Sequence, residues 1–126
     1  MTGNGKPLIL IADDDPDILA LISFRLERAG YEVIGAGDGE QALAAAIARP
    51  PDLALLDVMM PKLDGYEVTA RLRSNEATRH LPVILLTARV QEADIARGVE
   101  AGADDYVRKP FSTQELRERV QAALGR

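Results

Sequence analysis

The stretch Leu8-Ile9-Leu10-Ile11-Ala12-Asp13-Asp14-Asp15-Pro16 carries the chain from an unbroken apolar run into three acids and a proline. Four large apolar residues in succession offer no polar face, so they read as a strand covered on both sides. The acids stop that strand. Pro16 suits the first position of a helix, and Asp15 before it suits the cap. Beyond Pro16, Ile18, Leu19, Leu21, Ile22 and Leu26 recur at helical spacing, with Arg25, Glu27 and Arg28 left to solvent.

The same strand-then-helix unit recurs along the chain. Apolar runs of strand length lie at Tyr31-Glu32-Val33-Ile34, Leu53-Ala54-Leu55-Leu56 and Val83-Ile84-Leu85-Leu86, with a weaker one at Asp105-Tyr106-Val107-Arg108 between the Gly102 break and Pro110. Helical patterns cover about Gly39 to Ala48, Tyr66 to Leu72, Ala93 to Ala101 and Thr113 to Leu124. Five alternations predict right-handed crossovers and a doubly wound α/β fold, a parallel sheet with helices on both faces.

At 126 residues the chain suits one domain. Residues 1–6 read as a flexible N-terminal tail and 7–126 as the domain. The chain has no cysteine, which removes disulfides, thiolate metal sites and a cysteine nucleophile. No apolar run nears the roughly 20 residues of a membrane span, and the start has no signal-peptide pattern, so a soluble cytoplasmic protein without membrane contact is expected. A net charge of -5 argues against direct nucleic-acid binding, which asks for a basic surface.

The polar residues of interest all fall at strand ends: Asp13 and Asp14 after the first, Asp57 after the third, Thr87 after the fourth and Lys109 after the fifth. In an open parallel sheet these ends form one crevice, where ligands bind. Carboxylates gathered there repel unless a cation lies between them. All-oxygen donors favour magnesium, with manganese possible, over zinc. Lys109 adds a fixed positive charge and Thr87 a hydroxyl. Taken singly, a strand-end threonine or a lysine before proline is ordinarily structural or solvated, and only their joint placement argues for chemistry. The lone His80 falls in a loop and reads as a surface residue.

Across Leu8 to Leu124 the sequence resembles a response-regulator receiver domain of two-component signalling. The resemblance rests on residues 9–16, on Leu55-Leu56-Asp57-Val58-Met59-Met60-Pro61, Asp64-Gly65 and Leu86-Thr87-Ala88, and on Gly102-Ala103-Asp104-Asp105-Tyr106-Val107-Arg108-Lys109-Pro110-Phe111. It implies a flavodoxin-like sheet of strand order 2-1-3-4-5. It also implies Mg2+ held by Asp14, Asp57 and the Met59 carbonyl, with Asp13 assisting through water.

Asp57 would then take a phosphoryl group from a phosphohistidine on a histidine kinase or histidine phosphotransfer protein, with Lys109 and Thr87 as its helpers. Thr87 and Tyr106 would form the switch pair, the ring of Tyr106 turning inward, although an aromatic on an edge strand is half-buried in any case. Lys109-Pro110 would be a cis peptide. The output surface would be helix 4, strand 5 and helix 5, carrying Arg89, Glu100, Asp104, Asp105, Arg108, Arg117 and Arg119. That surface would serve a homodimer, a downstream effector or an output domain elsewhere in a longer protein. Met59 and Arg89, two residues after Asp57 and Thr87, are poor water-orienting groups and predict a slowly hydrolysing phosphoaspartate.

Three other readings fit less well. A haloacid-dehalogenase-type phosphatase would place a second aspartate two residues after the nucleophile, where Met59 stands. A flavin carrier would want a Gly-, Ser- or Thr-rich phosphate loop after strand one, where three acids stand. A phosphorylation-independent interaction module would have no use for the full set Asp13, Asp14, Asp57, Thr87 and Lys109. A signalling domain, not an enzyme, is the expectation.

Overall fold

A computed structural model describes residues 5–88 and 91–125. Arg89, expected to flank the phosphoryl site, lies outside the described residues, as do residues 1–4 of the expected tail. Among the described residues, strands and helices alternate as β1 Leu8–Ala12, α1 Pro16–Arg28, β2 Glu32–Ala36, α2 Gly39–Ala48, β3 Leu53–Asp57, α3 Gly65–Ser74, β4 Val83–Thr87, α4 Glu92–Ala101, β5 Asp105–Arg108 and α5 Thr113–Ala123. The strands form one parallel sheet in the order β2-β1-β3-β4-β5, the flavodoxin-like order that the resemblance implied.

Every residue of β1, β3 and β4 is buried, which is why these strands read as continuous apolar runs. Their side chains nevertheless divide by twos between two cores. Leu10, Ala12, Ala54, Leu56, Val83 and Leu85 face α2 and α3, packing with Ala42, Ala46, Val68 and Leu72. Ile9, Ile11, Leu53, Leu55, Ile84 and Leu86 face α1 and α5, packing with Ile22, Leu26, Leu116 and Val120. Each buried leucine or isoleucine removes enough apolar surface to contribute about 1.5–3 kcal/mol, so this double core dominates stability.

The helices begin where side chains satisfy their first amides. Asp15 accepts from the N–H groups of Asp17 and Ile18, as its place before Pro16 predicts. Asp38, Asp64 and Ser112 do the same for α2, α3 and α5, and Asp64 and Glu67 form a reciprocal pair at 2.8 and 3.0 Å.

Several strand boundaries differ from the sequence reading. Asp57 and Thr87 are the last residues of β3 and β4 and do not follow them, because the ladder pairs Asp57 with Leu86 and Thr87 with Arg108. In addition, β2 starts at Glu32 and runs on through Gly35 and Ala36, two residues of poor strand propensity that the register with Ile11 and Ala12 holds extended.

Candidate functional site

Parallel strands that start on one edge of the fold end on the other, and the carboxyl ends of β1, β3, β4 and β5 bring Asp13, Asp57, Thr87 and Lys109 to one rim. Asp13 is fixed from both sides. Its backbone N–H donates to the Ala36 carbonyl at 3.1 Å, and its Oδ1 accepts from the Asp15 N–H at 2.9 Å. Asp13, Asp57 and Thr87 are buried, whereas Asp14 is exposed.

The Lys109 ammonium lies between the two buried acids. Its Nζ donates to Asp13 Oδ2 at 2.8 Å and stands 3.4 Å from Asp57 Oδ1. The chain there is held by the Lys109 N–H, which donates to the Thr87 carbonyl at 2.8 Å, and the following Lys109–Pro110 peptide is cis, as the resemblance implied.

On the other side of Asp57 the backbone turns tightly into α3. The Gly65 N–H donates to the Val58 carbonyl at 2.9 Å. A Cβ on Gly65 would stand 2.7 Å from the Asp57 carbonyl oxygen, so only glycine lets α3 start this close to the end of β3.

The electrostatics follow from that crowding. Burial first, and then the negative charge of Asp13, push the Asp57 carboxyl up to about 6 from an ordinary 3.8, while Lys109 pulls it back. Burial works against the Lys109 ammonium, but its hydrogen bond to Asp13 and the charge of Asp57 outweigh that and hold its pKa above the ordinary value. Asp13, Asp14 and Asp57 each offer a carboxylate oxygen, and these oxygens lie within 4.8 Å of one another. Three hard oxygen donors on a half-open rim fit a small divalent cation that keeps water in its shell. Met59, expected to offer its backbone carbonyl to the ion, has its side chain turned to solvent at 71% exposure.

Tyr106 is half-buried on edge strand β5, and its hydroxyl donates to the Asp94 carbonyl of α4. Burial, then Tyr66 beside it, hold the Tyr106 hydroxyl above its ordinary pKa. His80 is exposed. Asp104 and Asp105, read as outward charges, are engaged within the chain. Asp104 accepts from Arg73 at 2.9 Å and from the Val83 N–H at 2.8 Å, and Asp105 accepts from Arg119 at 2.8 and 3.0 Å.

Sequence reasoning passed over Tyr66 and Gly98, which surround Tyr106. The signal was present in Gly98, an isolated glycine inside a helical pattern. Arg73, whose guanidinium also donates to the Gly102 and Leu81 carbonyls, gave no sequence signal, because its partners lie far along the chain.

Comparison with known proteins agrees with this fold. The family described as "Response regulator receiver domain" matches residues 9–121. The chain is 50% identical over 118 residues to the alkaline phosphatase synthesis transcriptional regulatory protein PhoP of Bacillus subtilis, covering 94% of this chain and 48% of PhoP. It is 50% identical over 120 residues to the transcriptional regulator RpaA of Synechocystis, covering 95% of this chain and 50% of RpaA. The chain thus spans about half the length of these relatives.

Among solved structures, Vibrio cholerae chemotaxis protein CheY4 superposes with a TM-score of 0.91 at 31% identity, covering 94% of this chain and 99% of that one. The receiver domain of the Pseudomonas aeruginosa sensor kinase PA1611, which holds a magnesium ion in its active-site cleft, gives a TM-score of 0.89 at 35% identity, covering 97% of this chain and 100% of that one. A family match over residues 9–121, relatives 50% identical over nearly the whole chain and a shared fold together show that the chain belongs to the response-regulator receiver domains of two-component signalling.

Proposed function

We propose that this domain accepts a phosphoryl group on Asp57 from a phosphohistidine of a histidine kinase or histidine phosphotransfer protein, in a Mg2+-dependent reaction, and passes the signal on through α4, β5 and α5. The observation that carries this reading is the Lys109 ammonium set between buried Asp13 and Asp57, with Asp14 exposed beside them.

In the transfer, an Asp57 carboxylate oxygen attacks phosphorus as the phosphorus–nitrogen bond to the donor imidazole breaks. The electron pair stays with that nitrogen, and the product is an acyl phosphate. The carboxylates of Asp14 and Asp57 and the Met59 carbonyl would hold the metal, with Asp13 assisting through water. Bound there, Mg2+, or Mn2+ in its place, supplies charge neutralisation at the phosphoryl oxygens. Lys109 supplies the second positive charge, and Asp13 aims it. Thr87, at the end of β4, provides a hydroxyl for a phosphoryl oxygen, and Tyr106 is its partner in the switch. Asp57 is regenerated only by hydrolysis or back-transfer, so the domain acts as a signalling element and not as a turnover enzyme.

An apolar cleft beside Lys109, formed by Ile18, Leu21, Ile22, Pro110 and Phe111, supports docking of a phosphohistidine-bearing partner next to Asp57. The names of the half-matched relatives support an output in transcription through a further domain, and the acidic charge of this domain leaves any DNA contact to that domain.

The test is incubation with MgCl2 and a small-molecule phosphodonor, with intact mass as the readout. Wild type should gain one phosphoryl group and Asp57→Asn none. Equal labelling of the two proteins rejects the assignment.

A further inference from the structure

Gly98 lies in the interior of α4, where glycine weakens a helix relative to alanine. Its surroundings give a reason. A Cβ at this position would stand 2.8 Å from both Cε2 and Cζ of Tyr106 and would overlap its hydroxyl oxygen. The hydroxyl end of the ring packs against the helix at the one residue of α4 that has no side chain, and the hydroxyl donates to the carbonyl of Asp94, one turn earlier. Tyr66, in the first turn of α3, brings its hydroxyl to the same carbonyl at 3.4 Å.

We propose that Gly98 is the positioning residue of the switch: the missing side chain at position 98 is what admits the Tyr106 ring to its place on α4, so residue 98 sets the balance between that place and an outward one. This rests on the reading of Tyr106 as the switch aromatic. A side chain at 98 must displace either the helix or the ring. The helix is tied to α3, because the Arg97 guanidinium lies 4.4 Å from the centre of the Tyr66 ring and 3.7 Å from Asp64. Tyr106 stands on β5, the edge strand, with no further strand beyond it among the described residues. The ring therefore yields, and it loses the Asp94 carbonyl as it turns to solvent.

The test uses the whole chain labelled with 3-fluorotyrosine, in which the signals of Tyr31, Tyr66 and Tyr106 are assigned by single Tyr→Phe substitutions. In wild type the Tyr106 signal should change when phosphodonor and MgCl2 are added. In Gly98→Ala the ratio of outward to inward ring should rise at least about tenfold, and the signal should no longer respond to phosphodonor, although Asp57 is labelled to the same extent. A Tyr106 signal in Gly98→Ala that matches wild type and still responds overturns the proposal and leaves the switch reading standing. A wild-type signal that ignores phosphorylation overturns the switch reading and the role of Gly98 with it. If Gly98→Ala does not fold, Gly98→Ala/Tyr106→Ala decides: recovery of folding locates the conflict in the ring, and continued failure overturns the proposal.

Discussion

Lys109 donates to Asp13 Oδ2 at 2.8 Å across 96 residues of sequence, and that bond sets the ammonium beside Asp57. Three buried or half-buried charges thus share one rim with only one cation among them. The arrangement is poised for a second positive charge and for the loss of a negative one.

The first consequence is a pH-dependent stability in metal-free protein. The folded-state pKa of Asp57 is about 6, above its ordinary 3.8. A carboxyl raised in this way favours the folded state while protonated. Its contribution is complete below about pH 3.8 and is lost as pH rises through 6. Urea unfolding in EDTA should show wild type losing roughly 1–3 kcal/mol from this group between pH 4 and pH 7. Asp57→Asn should lack that component and be the more stable protein at neutral pH. A pH-independent difference between the two proteins would contradict the burial argument.

Divalent cations should offset the same repulsion. At ten times its dissociation constant, MgCl2 should stabilise wild type by about 1.4 kcal/mol, read as a rise in Tm. Asp14 is exposed, so Asp14→Asn should fold with metal-free stability within about 0.5 kcal/mol of wild type. It should nevertheless lose most of the magnesium increment. An undiminished increment in this variant would remove Asp14 from the ligand set.

Met59 stands at the mouth of the site with its thioether in solvent. A thioether has no donor and only a weakly accepting sulfur, so it orients a water toward the phosphoaspartate poorly, and hydrolysis should be slow for this family. Met59→Asn should shorten the lifetime about tenfold, equivalent to about 1.4 kcal/mol in the barrier. The measurement is decay of the phosphorylated mass after donor removal in MgCl2. Rapid decay in wild type, unchanged in the variant, would refute the assignment.

On the outer face of α4, Ile95 and Val99 lie one turn apart and are 41% and 67% exposed. Nearby, Arg119 and Asp105 pair within the chain, so an assembly through α4, β5 and α5 would have the apolar pair at its centre and that ion pair at its rim. Phosphorylated wild type should run as a dimer in light scattering. Ile95→Glu/Val99→Glu should stay monomeric, while its Asp57 is labelled to the same extent. A phosphorylated wild type that remains a monomer would assign the surface to a different protein.

The order of strands and helices was legible because it depends on short-range signals. Fully apolar runs mark the strands with two covered faces, and capping residues such as Asp15 before Pro16 mark helix starts. The strand-end acids, Thr87 and Lys109 were legible for the same reason, since the crevice of a parallel sheet is a matter of topology. Strand ends were less legible, because Asp57 and Thr87 are polar residues held in the ladder by their neighbours.

Chain order and strand direction are enough to bring Asp13, Asp14, Asp57, Thr87 and Lys109 to a common rim. Three-dimensional packing is what buries Asp13 and bonds it to Lys109 while its neighbour Asp14 stays exposed, pushes Asp57 up to about 6, and rests Tyr106 on Gly98. The reason is physical. Burial, charge coupling and steric fit depend on distances of a few ångströms between residues far apart in the chain, and no local pattern of side chains fixes those distances.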